Sequence, residues 1–202
     1  MMDMDSCGKT DIGKRGGKIV KWMIASDIHG SAYYCRKMME AYTKEDAERL
    51  LLLGDILYHG PRNDLPEGYA PKEVITLLNA HKNDIYCVRG NCDTEVDQMV
   101  LEFPVLSDYC VIAEGKTAVY ATHGHIYNEQ KLPPLHPGDI LLHGHTHVPE
   151  CTVHEEEQYI YMNPGSVSIP KKDSWHGYMI WEDNEFVWKD FDGQEHMRKK
   201  LS

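Results

Sequence analysis

The sequence predicts an α/β fold in which two β-sheets pack against each other, with helices outside. In the first half, apolar runs alternate with polar turns and helical patterns, which is typical of a parallel β-α-β layer. In the second half, short apolar runs are separated by turn residues, which indicates a second sheet, largely antiparallel. Each sheet must bury one face, so we expect the two sheets to pack together.

The N-terminal segment, residues 1–17, is polar and has no period that could bury a face. We expect it to be a loose tail outside the fold, of native or artificial origin. Residues 18–202 have the size of one domain, and we expect a single one. The first strand is predicted at residues 19–25, an apolar run that ends in Ser26-Asp27-Ile28-His29.

A helix is predicted after this first polar turn. Tyr34, Met38 and Tyr42 recur at four-residue spacing, and Ser31 is placed to cap the N-terminus. A stripe of Met and Tyr at this spacing is more often core than a cofactor site. We therefore assign it to packing.

Two more strands and a second helix complete the first half. Residues 50–53 are four consecutive leucines, a pattern typical of a fully buried strand. Pro71 is suited to the first turn of a helix whose inner face carries Val74 and Leu78. The third strand is predicted at residues 85–88.

The second half contains four short apolar runs between turns. We assign them to the second sheet: residues 118–120, 140–142, 159–161 and 178–181. Three consecutive glutamates, at residues 155–157, predict a solvated hairpin tip.

Charge and composition exclude several classes of function. The formal net charge is −11, with 32 acidic against 21 basic residues, which argues against binding of long nucleic acid. The six cysteines include no C-x-x-C pair, so a thiolate zinc site is not expected, and free thiols suit a reducing compartment. No run approaches the roughly 20 apolar residues of a membrane span. We therefore expect a cytoplasmic protein without a membrane partner.

Polar clusters follow each of the three predicted strands of the first half. Asp27 and His29 follow the first strand, Asp55 the second, and Asn91 the third. Ligands of open α/β sheets collect at the carboxyl ends of strands, where these side chains are expected to meet. His123, His145 and His147 come later, after predicted strands of the second half.

These residue types suit divalent cations. Carboxylate oxygens and imidazole nitrogens bind intermediate ions such as Mn²⁺, Fe²⁺, Ni²⁺ or Zn²⁺. A carboxylate has two oxygens and can bridge two ions, and Asp55 lies centrally in the series. Two such ions can polarise a phosphoryl group and lower the pKa of a shared water.

The motifs as a set resemble the signature of the calcineurin-like metallophosphoesterases and, more closely, of the bacterial YfcE-type phosphodiesterases. The resemblance covers roughly residues 18–181. It is carried by the blocks at residues 26–31, 54–55, 59–63, 65–71, 89–93, 122–125, 144–147 and 163–170.

The resemblance implies a four-layer α/β/β/α sandwich of two mixed β-sheets flanked by helices, and a dinuclear metal centre. It implies Asp27, His29 and His147 as ligands of the first metal. It implies Asn91, His123 and His145 for the second, with Asp55 bridging. His125 is then near the metals rather than a ligand. Mn²⁺ is the expected ion, with Ni²⁺, Fe²⁺, Zn²⁺ and Mg²⁺ as alternatives.

The resemblance also implies a hydrolase that attacks small phosphodiesters with a metal-bridging hydroxide. Asp55, Asn91 and His123 are the expected catalytic residues, and Arg62, Asn63 and Cys92 the expected substrate contacts. Many relatives carry a histidine where this chain has Cys92, and a neutral thiol is only a weak donor. We therefore expect a preference for good leaving groups. The resemblance makes a homo-oligomer plausible.

Two other functions remain open. One is a phosphomonoesterase or phosphoprotein phosphatase, for which the absent histidine at Cys92 is unfavourable. The other is a non-catalytic interaction scaffold of the same fold, against which the intact set of seven ligand positions argues. His59 and His143 lie beside the motifs, so roles next to the ligands are open for both. The block at residues 163–170 is expected to be structural rather than directly catalytic.

Overall fold

The computed structural model describes residues 20–114 and 117–201, so the expected tail at residues 1–17 lies outside the described residues. The elements in chain order are β1 (Trp22–Ala25), α1 (Ala32–Lys44), β2 (Arg49–Leu52), α2 (Pro71–Asn79), β3 (Ile85–Cys87), α3 (Glu95–Gln98), β4 (Tyr109–Glu114), β5 (Thr117–Thr122), β6 (Ile140–His143), β7 (Pro149–His154), β8 (Tyr159–Pro164), β9 (Gly177–Glu182), β10 (Glu185–Asp190) and β11 (Glu195–Lys200). The predicted strands and helices of the first half are confirmed, with bounds that differ by one to three residues.

The strands form two mixed sheets, as predicted. The six-stranded sheet has the order β11-β10-β9-β1-β2-β3, and the five-stranded sheet has the order β4-β5-β6-β8-β7. Strands β1, β2 and β3 are mutually parallel. In the other sheet, β5, β6 and β8 are mutually parallel. Each sheet therefore gathers three carboxyl ends at one edge.

Two expectations for the second half are wrong. The run at residues 178–181 belongs to β9, which pairs antiparallel with β1 in the six-stranded sheet rather than joining the second sheet. The second sheet is also not largely antiparallel, because β5–β6 and β6–β8 are parallel pairs while β4–β5 and β7–β8 are antiparallel. Apolar alternation reports that a strand is buried, and it does not report which neighbour the strand pairs with.

The main core lies between the two sheets. Ile24 and Leu51 of the larger sheet share a buried cluster with Val119 and Leu142 of the smaller sheet and with Trp188 of β10. The opposite face of the larger sheet packs against α1 and α2. On the outer face of the smaller sheet, Leu135 packs against Leu141, Tyr159 and Tyr161. The predicted packing of two sheets with flanking helices is confirmed.

Helix α1 begins and packs as the sequence predicts. The hydroxyl of Ser31 accepts a hydrogen bond from the backbone N–H of Tyr34 at 3.2 Å, which satisfies one of the free donors of the first turn. Met38 and Tyr42 are buried in the cluster under the larger sheet. The Met and Tyr stripe is therefore core, as expected.

Helix α2 starts at Pro71, which occupies its first turn. Val74 and Leu78 of this helix are fully buried against the same face as α1. The three glutamates at residues 155–157 form an exposed turn between β7 and β8, as predicted. None of the described helices combines the length and the apolar character needed to cross a bilayer.

Candidate metal centre

The predicted ligands lie in loops that leave the carboxyl ends of five strands. Asp27 and His29 follow β1, Asp55 follows β2, and Asn91 follows β3. His123 follows β5, and the last two histidines, His145 and His147, follow β6. Because the two sheets face each other, these loops meet at one edge, and the structure brings the seven side chains into one cluster.

Close approach of these loops depends on two glycines. A Cβ atom on Gly90 would overlap the carboxylate of Asp55, and a Cβ atom on Gly144 would overlap the hydroxyl of Ser26. Only glycine can occupy these positions without moving a neighbour. The glycines next to Asn91 and His145 are therefore required by packing.

The first group of side chains consists of Asp27, His29 and His147. The Oδ1 atom of Asp27 lies 3.2 Å from Nε2 of His147 and 3.6 Å from Nε2 of His29. The two Nε2 atoms are themselves 3.2 Å apart. All three residues are almost fully buried, and Oδ1 of Asp27 has no hydrogen-bond donor among the described residues.

The protonation of these histidines follows from their other ring nitrogen. Nδ1 of His29 lies 2.8 Å from the carbonyl oxygen of Tyr58, and Nδ1 of His147 lies 2.6 Å from that of Ile169. A carbonyl only accepts, so each Nδ1 carries a hydrogen, and the tautomer that this leaves for the neutral ring directs the lone pair of Nε2 into the cluster. Two lone pairs and a carboxylate oxygen face one another, an arrangement that fits a bound cation.

The second group consists of Asn91, His123 and His145. Nε2 of His123 lies 3.1 Å from Oδ1 of Asn91 and 3.1 Å from Nδ1 of His145. Nδ1 of His123 donates to the carbonyl oxygen of Leu53 at 2.7 Å, so Nε2 again presents a lone pair. Burial and the neighbouring His123 lower the pKa of His145 to about 4, so this ring is neutral at pH 7.

Asp55 lies between the two groups. Its Oδ2 atom is 3.7 Å from Nε2 of His29 and 3.5 Å from Nε2 of His123. Its other oxygen, Oδ1, accepts a hydrogen bond from the backbone N–H of Cys92 at 2.8 Å. One carboxylate oxygen thus faces one histidine from each group, which is the placement expected for a bridging ligand.

Asp27 is held in its charged form. Burial alone raises the pKa of its carboxyl, but the contacts with His147 and His29 outweigh burial and hold the pKa well below the usual value. Its second oxygen, Oδ2, accepts from the hydroxyl of Ser26 at 2.6 Å and from the backbone N–H of His145 at 3.0 Å. The carboxylate is therefore fixed in one orientation.

Three combinations of side chains bring their ligand atoms within 4.8 Å of one another. They are Asp27 with His29 and His147, Asp27 with Asp55 and His123, and His29 with Asp55 and Cys92. Cys92 differs from the others because burial and the charge of Asp55 raise the pKa of its thiol. A neutral thiol is a poor metal ligand, so we do not include it among the ligands.

A cavity of about 380 Å³ opens beside the cluster. Its lining includes the three expected substrate contacts, Arg62, Asn63 and Cys92. Arg62 is exposed, whereas the amide nitrogen of Asn63 donates to the carbonyl oxygen of His59 at 2.9 Å. The structure therefore places all three next to the ligands, where contact with a substrate is geometrically available.

Two residues beside the ligands were not predicted from the sequence, Asp93 and Lys171. Asp93 is buried and accepts hydrogen bonds from the backbone N–H groups of Asp55, Ile56 and Gly90, at 2.7–2.9 Å. It therefore fixes the loop that carries Asp55. Its place in the block at residues 89–93 was the available signal. The other residue is Lys171, which lines the cavity and follows directly after the last motif block.

The neighbouring histidines have distinct places. The ring of His125 lies 5.3 Å from that of His123, centroid to centroid, so it is near the second group without belonging to it. His143 is buried, stacks on Tyr161, and directs Nδ1 at the carbonyl oxygen of Gly144 at 3.0 Å. His59 packs against Tyr58 and Tyr69 in the loop beside the cavity.

Comparison with known proteins agrees with this geometry. Residues 20–185 match the calcineurin-like phosphoesterase superfamily domain. Phosphodiesterase YfcE of Escherichia coli K12 is 45% identical over 153 residues, which span 76% of this chain and 82% of that protein. The solved structure of Yfce, a phosphoesterase from E. coli, superposes with a TM-score of 0.87 at 38% identity, covering 91% of this chain and all of that one.

More distant structures share the fold alone. Vacuolar Protein Sorting 29 from Cryptosporidium parvum has a TM-score of 0.57 at 18% identity, and the match covers 91% of this chain and 99% of that one. The family match spans most of the described residues, and its clustered carboxylates and imidazoles are suited to divalent metals. The chain is therefore a member of the calcineurin-like phosphoesterase superfamily, and its chemistry is the metal-dependent hydrolysis of phosphoric esters.

Proposed function

We propose that this chain is a dinuclear phosphodiesterase that hydrolyses small phosphodiesters. The relative that is 45% identical carries the name phosphodiesterase, which supports this choice of ester. The observation that carries the dinuclear assignment is Oδ2 of Asp55, which lies 3.5–3.7 Å from one histidine of each group. A carboxylate with that placement can bridge two cations.

The ligand sets of the proposal follow the two groups. Asp27, His29 and His147 would hold one cation. Asn91, His123 and His145 would hold the other, and Asp55 would contact both. Two bound cations would lower the pKa of a shared water and polarise the phosphoryl group of the substrate. Mn²⁺ is the proposed ion because oxygen and imidazole ligands suit it, and Ni²⁺, Fe²⁺, Zn²⁺ and Mg²⁺ are tested beside it.

The chain's own residues hold this centre in shape. Backbone carbonyls of Tyr58, Leu53 and Ile169 orient the three Nδ1 donors, so that the Nε2 lone pairs point inwards. This fixed orientation lowers the cost of rearrangement during the reaction. Arg62, which lines the cavity, would pair with a phosphate group of the substrate through its planar fork of donors.

The preference for diesters with good leaving groups follows from the position of Cys92. A thiol in this place supplies neither a positive charge nor a strong proton donor to a departing alkoxide. A phosphomonoester carries a doubly charged phosphoryl group, for which a histidine at this position would be more suitable. A non-catalytic scaffold is the other candidate. The likeness of this chain to Vacuolar Protein Sorting 29 concerns the fold alone, so it does not favour a scaffold over an enzyme.

The remaining parts of the proposal concern the whole protein. We propose that residues 18–202 act as a single domain in the cytoplasm, alone or as a homo-oligomer. The partner is a small phosphodiester rather than long nucleic acid, because the net charge of −11 opposes binding to an extended polyanion.

The direct test compares Asp55→Asn with a matched control, Asp64→Asn. Both changes remove one carboxylate from the segment between β2 and α2, but Asp64 is exposed and does not line the cavity. We expect Asp55→Asn to lower kcat on bis(4-nitrophenyl) phosphate by at least about 100-fold in Mn²⁺, since both cations lose a ligand. The control is expected to retain native kcat.

Two further measurements complete this test. Native protein treated with a chelator should lose activity and regain it on addition of metal. The diester should be turned over faster than 4-nitrophenyl phosphate. Native-like activity of Asp55→Asn, or activity that persists without metal, would contradict the proposed mechanism, and an inert metal-loaded native protein would favour the scaffold.

A further inference from the structure

Two positively charged side chains lie on the exposed part of the cavity lining. Arg62 and Lys171 both line the cavity and are both exposed. Within residues 20–114 and 117–201, neither forms a side-chain hydrogen bond or an ion pair. Three other arginines are paired with carboxylates: Arg36 with Glu73, Arg49 with Asp84, and Arg198 with Glu185 and Glu195.

The charge of this lining is opposite to that of the chain. The chain carries a net charge of −11. Among the described residues that line the cavity, however, two side chains are positively charged, Arg62 and Lys171, and one is a carboxylate, Asp55. Asp55 is only 2% exposed, and its Oδ2 faces the histidines. The part of the cavity that a substrate meets outside the metal centre is therefore positive, and such a cleft concentrates anions.

The backbone of Lys171 is fixed although its side chain is free. Its N–H donates to the carbonyl oxygen of His147 at 3.0 Å, which ties it to a proposed metal ligand. Its own carbonyl accepts from the hydroxyl of Ser174 at 2.6 Å and from the N–H of the same residue at 3.2 Å. The ammonium group is thus attached to a rigid base at the rim of the cavity.

We infer that Lys171 and Arg62 form an anion subsite that binds a second phosphate group of the substrate, separate from the phosphodiester that is cleaved. The natural substrate class is then a phosphodiester that carries an additional terminal phosphate, such as a phosphorylated nucleotide ester. A cavity of about 380 Å³ lies within the size range of small-molecule sites. This inference rests on the proposed function and adds the substrate class to it.

The test uses two chromogenic substrates that differ by one phosphate. Thymidine 5′-(4-nitrophenyl phosphate) and its 3′-phosphorylated form share the scissile bond and the leaving group. We expect the 3′-phosphate to lower KM by about five- to tenfold in the native protein, the size of one exposed charge-assisted contact. In Lys171→Ala this advantage should fall to about twofold or less.

Lys172→Ala is the matched control. Lys172 is the next residue, is also exposed, and does not line the cavity, so its replacement removes the same charge from the same loop. The ratio of the two KM values should stay native in Lys172→Ala and should recover in Lys171→Arg. A native ratio near one, or a ratio that Lys171→Ala leaves unchanged, would overturn the inference.

Binding provides a readout that does not depend on turnover. Calorimetric titration of metal-loaded protein with thymidine 5′-phosphate and with thymidine 3′,5′-bisphosphate should give the same five- to tenfold difference in Kd, which is about the effect of one charge contact. That difference should be lost in Lys171→Ala. If neither ester is hydrolysed, the proposed function fails, and the two Kd values still decide whether the subsite exists.

Discussion

Five residues around the metal centre adopt the left-handed backbone conformation that L-amino acids avoid. They are Asp27 (φ 59°), His29 (φ 49°), Asp55 (φ 55°), His145 (φ 66°) and His147 (φ 61°). A residue with a Cβ loses about 1–2 kcal/mol in this region relative to the right-handed one. The surrounding structure must therefore hold these residues there, and strain of this kind is typical of functional sites.

His145 offers a test of this strain, because its side chain is partly exposed and little packing is lost on truncation. In metal-free protein, His145→Gly should be more stable than His145→Ala by about 1 kcal/mol, since glycine tolerates a φ of 66°. The measurement is the free energy of unfolding in urea with chelator present. Both variants should lose metal-dependent activity.

The control position is Glu40, which is exposed in the middle of α1. There the order should reverse, with the alanine variant more stable than the glycine variant by about 1 kcal/mol. If alanine is the more stable residue at both positions, the left-handed conformation of His145 is not a source of strain.

The seven ligand candidates could be predicted at this scale, but their orientation could not. Sequence spacing indicates which residue types follow each strand, and the resemblance supplies their roles. Neither predicts that Nδ1 of His147 donates to the carbonyl of Ile169, because β7 and β8 lie between these two residues in the chain. Lys171 could not be predicted either, since no sequence pattern distinguishes a lysine that lines a cavity from other exposed lysines.

At the scale of elements, the loop after β8 positions ligands of the proposed metal centre. The hydroxyl of Ser166 donates to the backbone carbonyl of Asp27 at 3.0 Å, and that of Ser168 donates to the same oxygen at 3.2 Å. The carbonyl of Ile169 orients His147. The block at residues 163–170 is thus structural, as the sequence suggested, and it acts on the ligands of the first group.

Asn163 links this loop to the loop after β6. Its Nδ2 atom lies 3.0 Å from the carbonyl oxygen of Gly144 and 3.0 Å from the hydroxyl of Thr146. Both acceptors flank His145 in the chain. Asn163→Asp keeps the shape but replaces this donor by an acceptor, which should repel the Gly144 carbonyl.

We expect Asn163→Asp to weaken Mn²⁺ binding by about tenfold, the usual effect of losing a group that orients a ligand. Calorimetric titration of the metal-free protein measures it. Asn79→Asp is the control, since Asn79 makes a comparable contact with the carbonyl of Val100 at 2.9 Å, far from the centre. Equal Mn²⁺ affinities in both variants would show that Asn163 does not position the ligands.

The sequence predicts where most strands lie, but it does not predict which strands are neighbours in a sheet. The apolar runs of both halves form strands, and the helix at Ser31 is capped as expected. The partner of β9 was not predictable, because β9 returns from the end of the chain to lie beside β1, the first strand. Such long-range pairing is decided by burial of the whole sheet rather than by local pattern.

At the scale of the molecule, the fold explains why distant residues share one site. Each sheet contributes three parallel strands, and the loops at their carboxyl ends meet where the sheets pack together. Asp27 and His147 are separated by 120 positions, yet Oδ1 of Asp27 lies 3.2 Å from Nε2 of His147. We propose that this shared edge holds two cations joined by Asp55.

Anomalous diffraction from a crystal soaked in Mn²⁺ would show whether this edge holds two cations. We expect two anomalous peaks per chain, about 3.5–4 Å apart. One should lie among Asp27, His29 and His147, the other among Asn91, His123 and His145, with the carboxylate of Asp55 between them. A single peak, or peaks that the Asp55 carboxylate does not reach, would contradict this proposal.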